Sequence, residues 1–163
     1  MIFSEFISSR IGAFIVALLF ASHASAYEHI LAETTTSLVP SPVEYAVIAP
    51  HGFQKMKNLP LVLNLHGGGG NRDGLLRQAD QWQALWESGT IPPAVVVMPS
   101  VTARGFYMNF KNGSERWEDF IIGLFLEHLR ETYPITNQPK RTFITGMSMG
   151  GMGSLRIAFK HPD

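Results

Sequence analysis

The segment Gly146-Met147-Ser148-Met149-Gly150 constrains the fold of this chain more than any other feature. It follows a short run typical of a buried strand, residues 142–145, and it precedes a pattern typical of a helix. Between a strand and a helix, G-x-S-x-G places its serine on a sharp, strained turn, and glycines remove the side chains that would collide there. The context predicts Ser148 as a nucleophile; the alternative is a glycine-rich turn in which Ser148 only caps the helix.

A second glycine-rich segment, residues 65–71 with the sequence L-H-G-G-G-G-N, follows the buried-type strand 61–65. Four glycines leave backbone N–H groups accessible, and with the N–H of Met149 at the start of the helix these groups suit a developing oxyanion. Nucleotide binding is disfavoured, because Arg72 stands where G-x-G-x-x-G needs its last glycine and no G-K-[ST] follows. A flexible turn without a chemical role stays open.

Strand-like and helix-like segments alternate along the rest of the chain. Alternation of this kind predicts an α/β fold with a mostly parallel sheet, flanking helices and right-handed crossovers. The polar residues 28–42 are interpreted as a linker or an irregular strand. The predicted strands cover residues 43–49, 61–65, 94–98 and 142–145, and the predicted helices cover residues 75–86, 117–129 and 149–160.

Composition excludes several classes of function. Lys plus Arg and Asp plus Glu each number 13 in 163 residues, so no basic excess favours nucleic acid as a partner. A hydrophobic share of 45% indicates a globular core. The chain has no cysteine, which leaves oxygen or amine nucleophiles and excludes disulfides and thiolate zinc sites. No metal or organic cofactor is expected.

Residues 1–26 have the pattern of a secretory signal. Arg10 supplies the positive charge, residues 11–21 form the apolar run, and Ala24-Ser25-Ala26 offers a cleavage site before Tyr27. The apolar run is shorter than the ~20 residues that span a bilayer. We therefore expect a secreted or periplasmic protein, domain 27–163, without a stable membrane anchor after cleavage; an uncleaved anchor or a buried helix is the alternative.

Several motifs together resemble one enzyme family. The two glycine segments are accompanied by Ile91-Pro92-Pro93, Phe106-Tyr107, Trp117-Glu118-Asp119-Phe120 and His161-Pro162-Asp163, in this order. The combination resembles, over residues 59–163, the esterase D-like branch of the α/β-hydrolases, which includes S-formylglutathione hydrolases, feruloyl and acetyl-xylan esterases and mycolyltransferases.

The resemblance implies an α/β-hydrolase fold and ester or thioester substrates. It implies Ser148 as nucleophile and oxyanion donors at Met149, Gly67 and Gly68. Glu118 lies at a helix start typical of the family, where we interpret it as structural support or as polarity on the substrate side. His66 is expected to support the glycine loop through a hydrogen bond.

A base for the serine is missing from this sequence. In α/β-hydrolases the order is Ser, then Asp or Glu, then His, but only fifteen residues follow Ser148. His161 would lie roughly 20 Å away along the helix, at 1.5 Å per residue. A triad of His66, Asp73 or Asp119, and Ser148 is a minor alternative, because triads are recognised by geometry.

The sequence is therefore interpreted as the N-terminal portion of a hydrolase, truncated after the helix that follows Ser148. The strand 142–145 is then expected to lie at an exposed edge of the sheet, beside an uncovered apolar helix face. We expect a secreted serine esterase acting on small-molecule or polysaccharide-linked esters, with the catalytic Asp and His downstream. A non-catalytic binding module on the same scaffold is the second hypothesis, and the oligomeric state is left open.

Overall fold

The computed structural model describes residues 27–162, so the predicted signal segment 1–26 lies outside the described residues. Five strands form one sheet in the order β1-β2-β4-β3-β5. The strands β3, β4 and β5 are parallel, and β1 and β2 extend the sheet in antiparallel fashion. The strands are β1 (Tyr27–Thr34), β2 (Val43–Pro50), β3 (Leu61–Leu65), β4 (Val95–Pro99) and β5 (Thr142–Gly146).

Helices cover both faces of this sheet. On one face lie the short α1 and α2, and on the other lie α5 and a long helical segment whose middle is a π-helix. The helices are α1 (Arg72–Leu76), α2 (Ala79–Glu87), α3 (Trp117–Asp119), the π-helix Phe120–Phe125, α4 (Leu126–Thr132) and α5 (Met149–Lys160).

The central strand β4 shows why its sequence is apolar throughout. Val95 and Val97 belong to the core beneath the long helical segment, whereas Val96 and Met98 belong to the core beneath α1 and α2. Successive strand residues point to opposite faces, so a strand that is covered on both sides needs no polar face. The α/β fold class predicted from the sequence is confirmed, as a three-layer arrangement with a mixed sheet.

Three predicted elements differ from the observed ones. The helix expected over residues 117–129 has the π-helix Phe120–Phe125 in its middle and ends at Thr132. The helix expected over residues 75–86 is divided at Gln78, whose backbone leaves the helical region at φ −89° and ψ 3°. The Gln78 side chain accepts a hydrogen bond from the Asn64 amide at 3.0 Å, a contact that local periodicity does not reveal. Part of the segment 28–42, interpreted from the sequence as a linker or an irregular strand, belongs to the regular strand β1, and β1 pairs with β2 along its whole length.

The strand β5 lies at the edge of the sheet, as the sequence predicted. The side chain of Phe143 is 51% exposed, and Leu155 and Phe159 on α5 are 63% and 83% exposed. A groove of about 380 Å³ runs beside this edge, between α4 and α5. Within residues 27–162, no helix is long and apolar enough to span a membrane.

Candidate active site

Ser148 occupies the turn between β5 and α5 in a strained conformation. Its φ of 53° and ψ of −115° lie outside the regions that non-glycine residues normally adopt. The side chain is exposed and makes no capping hydrogen bond to α5. The interpretation of Ser148 as a simple helix cap is therefore wrong, because the turn presents the hydroxyl to solvent at the carboxyl edge of the parallel strands.

The glycines on either side of Ser148 are required by close backbone contacts. A Cβ atom on Gly150 would lie 2.1 Å from the carbonyl oxygen of Leu65, at the end of β3. A Cβ atom on Gly146 would lie 2.7 Å from the same oxygen and 2.6 Å from the carbonyl carbon of Gly150. Real Cβ atoms do not approach backbone this closely, so only glycine lets the turn sit against β3.

The glycine loop after β3 lies directly beside the serine. A Cβ atom on Gly67 would stand 3.5 Å from the Cβ of Ser148. The loop is closed by a hydrogen bond from the N–H of Gly70 to the carbonyl of Gly67 at 3.0 Å, and Gly69 supplies the left-handed φ of 73° that this turn needs.

Three N–H groups around Ser148 are available to a ligand. Among residues 27–162, no acceptor takes a hydrogen bond from the N–H of Gly67, Gly68 or Met149. The N–H of Met149 is the first of α5, where the helix dipole is positive. Unpaired backbone donors can stabilise an oxyanion where they converge on one position, and Gly67 and Met149 both lie next to Ser148.

His66 is buried, with both ring nitrogens bonded to backbone. Nε2 accepts from the N–H of Val101 at 2.9 Å, so Nδ1 carries the proton and donates to the carbonyl of Gly67 at 2.7 Å. Burial lowers the pKa of His66, which keeps the imidazole neutral. The alternative triad built on His66 is wrong, because neither nitrogen is available to Ser148.

Asp73 and Asp119, the acids considered for that triad, pair with arginines instead. Asp73 lies 3.6 Å from the Nε of Arg72, and Asp119 accepts from Arg116 at 2.8 Å. Neither carboxylate contacts His66, whose side-chain partners are both backbone groups.

Glu118 is 3% exposed and pairs with three basic side chains near the C-terminal end of α5. Arg156 and Lys160 form ion pairs with its carboxylate, and the Nε2 of His161 lies 3.0 Å from one carboxylate oxygen. Burial alone would raise the pKa of Glu118, but hydrogen bonds from Lys160, His161 and Arg156 outweigh it and lower the pKa to about 2. Along α5, Lys160 lies about 18 Å from Ser148 and Arg156 about 12 Å from it.

The other histidines of the described chain are also placed away from the serine. His161 is held by Glu118, His128 bonds the hydroxyl of Tyr45 at 2.9 Å, and His51 lies 3.3 Å from Glu28. His29 belongs to β1, four strand spacings or about 19 Å from β5. Residues 27–162 thus bring together Ser148, Met149 and the glycine loop without a base. The same residues contain no group of three or more His, Asp or Glu side chains that could hold a metal ion.

Sequence reasoning assigned no role to Tyr107, which the structure places behind the glycine loop. Its hydroxyl donates to the carbonyl of His66 at 3.0 Å, and its ring is completely buried. Both Phe106 and Tyr107 have left-handed backbones, with φ values of 47° and 54°. The Phe106-Tyr107 pair was visible in the sequence only as part of the family resemblance.

Comparisons with known proteins agree with this geometry. The family model "Esterase", described as "Putative esterase", matches residues 36–163, and the chain belongs to this family. A curated relative, an acetyl esterase of Caldicellulosiruptor saccharolyticus, is 31% identical over 138 residues, which cover 83% of this chain and 49% of the relative. The chain thus spans about half the length of this relative.

Solved structures show the same fold. A ferulic acid esterase superposes with a TM-score of 0.77 at 21% identity, covering 84% of this chain and 54% of its own. An S-formylglutathione hydrolase from Agrobacterium tumefaciens superposes with a TM-score of 0.70 at 20% identity, covering 84% of this chain and 55% of its own. The α/β-hydrolase fold of this esterase family is therefore shared, and the family predicted from the motifs is confirmed.

Proposed function

We propose that this chain is the nucleophile-bearing part of a serine esterase that cleaves carboxylic esters through an acyl-serine intermediate. The observation that carries the proposal is the strained, exposed Ser148 beside three unpaired N–H groups. Membership of the Esterase family supports ester hydrolysis as the reaction.

The reaction would proceed in two steps at this site. The Oγ of Ser148 attacks the acyl carbonyl and gives its proton to a base, while the carbonyl oxygen becomes an oxyanion held by the N–H groups of Met149, Gly67 and Gly68. Collapse of the tetrahedral intermediate breaks the bond to the alcohol, which leaves with a proton from the base. Water then attacks the acyl-serine by the same route and releases the acid.

The base and its orienting acid are proposed to lie downstream of residue 163 in a longer protein. The serine needs a base, and each histidine among residues 27–162 is bonded elsewhere or lies far from it. The chain covers only 49% of the acetyl esterase that it resembles, which leaves room for a downstream Asp and His.

The substrate is proposed to be an external ester, either a small molecule or an ester linked to a polysaccharide. The secretory pattern of residues 1–26 supports export of the protein, and an exported esterase would meet esters outside the cytoplasm. Ser148 is exposed among the described residues, so an ester that is carried on a larger molecule can reach it.

Hydrolysis of an aryl acetate tests this proposal. The chain that ends at residue 163 is expected to hydrolyse it negligibly, and a version extended through the downstream Asp and His is expected to be active. The substitution Ser148→Ala in the extended version should lower kcat by at least about 10⁴-fold, since loss of a catalytic nucleophile costs on that order or more.

The matched control is Ser154→Ala, because Ser154 lies on the same helix and its hydroxyl bonds the carbonyl of Gly150. We expect this variant to keep most of its activity. Strong hydrolysis by the short chain would show that the base lies within it. An inactive extended protein would instead favour a binding module on the hydrolase scaffold.

A further inference from the structure

Tyr107 contacts two parts of the site, the start of the glycine loop at His66 and the helix α5. Its hydroxyl donates to the carbonyl of His66, and its ring lies edge-on to the His66 imidazole with centroids 5.8 Å apart. On the other side the ring packs against α5, where a Cβ atom on Gly153 would lie 2.6 Å from Cδ2 of the tyrosine. The residue is thus wedged between the glycine loop and the helix that begins at Ser148.

The hydrogen bond from Tyr107 fixes the direction of an N–H group. The carbonyl of His66 and the N–H of Gly67 belong to one planar trans peptide, in which they point in opposite directions. Because Tyr107 holds the carbonyl on the buried side, the N–H of Gly67 must face away from the tyrosine, and Gly67 lies beside Ser148.

The next peptide is fixed by the same principle. Nδ1 of His66 holds the carbonyl of Gly67 at 2.7 Å, so the N–H of Gly68 points away from the imidazole. Glycine loops are flexible when nothing restrains them, because glycine has the widest choice of backbone angles. The two hydrogen bonds replace that freedom with one orientation of two successive donors.

The backbone conformation that positions Tyr107 is strained. Two consecutive residues without glycine's freedom, Phe106 and Tyr107, take left-handed backbones, and such conformations persist only where the surroundings enforce them. Strain of this kind clusters at functional sites. An apolar ring would fill the same space, but the phenol also supplies a buried donor for the carbonyl.

We propose that Tyr107 is a positioning residue that orients the N–H of Gly67 toward the oxyanion formed at Ser148. The inference rests on the proposed esterase function and deepens it, because it assigns a role to a residue that does not touch the substrate. Tyr107 acts on the transition state through the His66–Gly67 peptide, so its loss should affect kcat rather than KM.

The substitution Tyr107→Phe in the extended, active protein tests this directly. Removing an oxyanion donor lowers kcat by about 10²–10³-fold. In Tyr107→Phe the donor stays but its direction is no longer fixed, so we expect a smaller loss of kcat, about tenfold. KM should change by less than about twofold. Tyr133→Phe is the matched control, since Tyr133 is also buried and its hydroxyl bonds another residue, Tyr45, at 3.3 Å. Equal kcat in Tyr107→Phe and the unsubstituted protein, or an equal loss in both variants, would overturn the proposal.

A measurement without turnover separates this proposal from the esterase proposal. In the 163-residue chain, the NMR order parameter of the Gly67 N–H should fall from about 0.8 toward about 0.6 in Tyr107→Phe, and it should stay unchanged in Tyr133→Phe. An unchanged order parameter would refute the positioning role even if the enzyme is active. A lowered order parameter in an inactive protein would support positioning while the esterase proposal fails.

Discussion

At the scale of single residues, the site depends on two glycines, Gly146 and Gly150, as much as on Ser148. Both glycines contact the backbone of β3 so closely that a Cβ atom at either position would collide with it. This close approach puts the turn of Ser148 next to the glycine loop. The G-x-S-x-G pattern is therefore a packing requirement as well as a chemical one.

The substitution Gly150→Ala is expected to destabilise the fold strongly. Its Cβ would lie 2.1 Å from the backbone oxygen of Leu65, which cannot move without shifting β3. We expect a loss of at least about 3 kcal/mol in the free energy of unfolding, at the upper end of the cost of overpacking. Urea denaturation monitored by circular dichroism measures it.

The matched control for this prediction is Gly123→Ala. A Cβ atom on Gly123, in the exposed part of the π-helix, would meet nothing within 4 Å. That variant should gain about 0.5–1 kcal/mol, because alanine restricts the unfolded chain without strain in the folded one. Equal stability of the two alanine variants would show that the close approach to β3 is not required.

At the scale of elements, Glu118 ties the end of α5 to the start of α3. A buried carboxylate is expensive unless it is paired, and here Arg156, Lys160 and His161 provide the pairing. The sequence interpretation left structural support and substrate-side polarity open for Glu118. Its ion pairs with the C-terminal end of α5 favour structural support, which remains a prediction.

The stability contributed by Glu118 should depend on pH. Its folded-state pKa of about 2 lies below the ordinary value of 4.5, so the contribution is fully present above about pH 4.5 and is lost as the pH falls toward 2. The contribution is expected to be on the order of 1–3 kcal/mol, because Arg156 and Lys160 are partly exposed and solvent screens part of the interaction. Glu118→Gln should therefore lower the free energy of unfolding at pH 7 and flatten its decline between pH 4.5 and pH 2.

Glu127→Gln provides the comparison, because Glu127 is exposed on α4. Denaturation curves at pH 7, 4 and 3 for both variants and the unsubstituted chain give the required values. If Glu118→Gln kept the same decline as Glu127→Gln, the ion cluster would not be a stabilising anchor.

The sequence predicted most elements because their signals are local. The predicted bounds 61–65 and 149–160 agree with those of β3 and α5. A buried strand is continuously apolar, and α5 starts directly after the serine turn. β1 was not recognised as regular, because this edge strand mixes exposed His29 and Glu33 with apolar residues. Sequence patterns could not predict the break at Gln78 or the role of Tyr107, because both depend on hydrogen bonds to residues distant in the chain.

At the scale of the whole molecule, the sheet has two edge strands, β1 and β5. The strand β5 is flanked by the exposed apolar side chains of Leu155 and Phe159 on α5. Exposed apolar patches and free strand edges favour association. The same surface is where the downstream part of a longer esterase would be expected to pack.

The 163-residue chain is therefore expected to self-associate and to bind a hydrophobic dye such as ANS. Phe159→Lys should weaken both, because Phe159 is 83% exposed on α5 and contributes little to the folded core. Leu31→Lys is the matched control, since Leu31 is 52% exposed on β1 at the opposite edge. Sedimentation velocity measures the oligomeric state, and a monomeric unsubstituted chain at high concentration would contradict the expectation.

Covalent labelling of Ser148 tests the central claim most directly. The extended protein is treated with a fluorophosphonate, which reacts with serines activated by a base, and the modified peptide is mapped by mass spectrometry. We predict a single adduct on Ser148, its loss in Ser148→Ala, and no adduct in the chain that ends at residue 163. Two results would contradict the account. One is an extended protein that hydrolyses the aryl acetate but carries no adduct on Ser148, and the other is an adduct on a different residue.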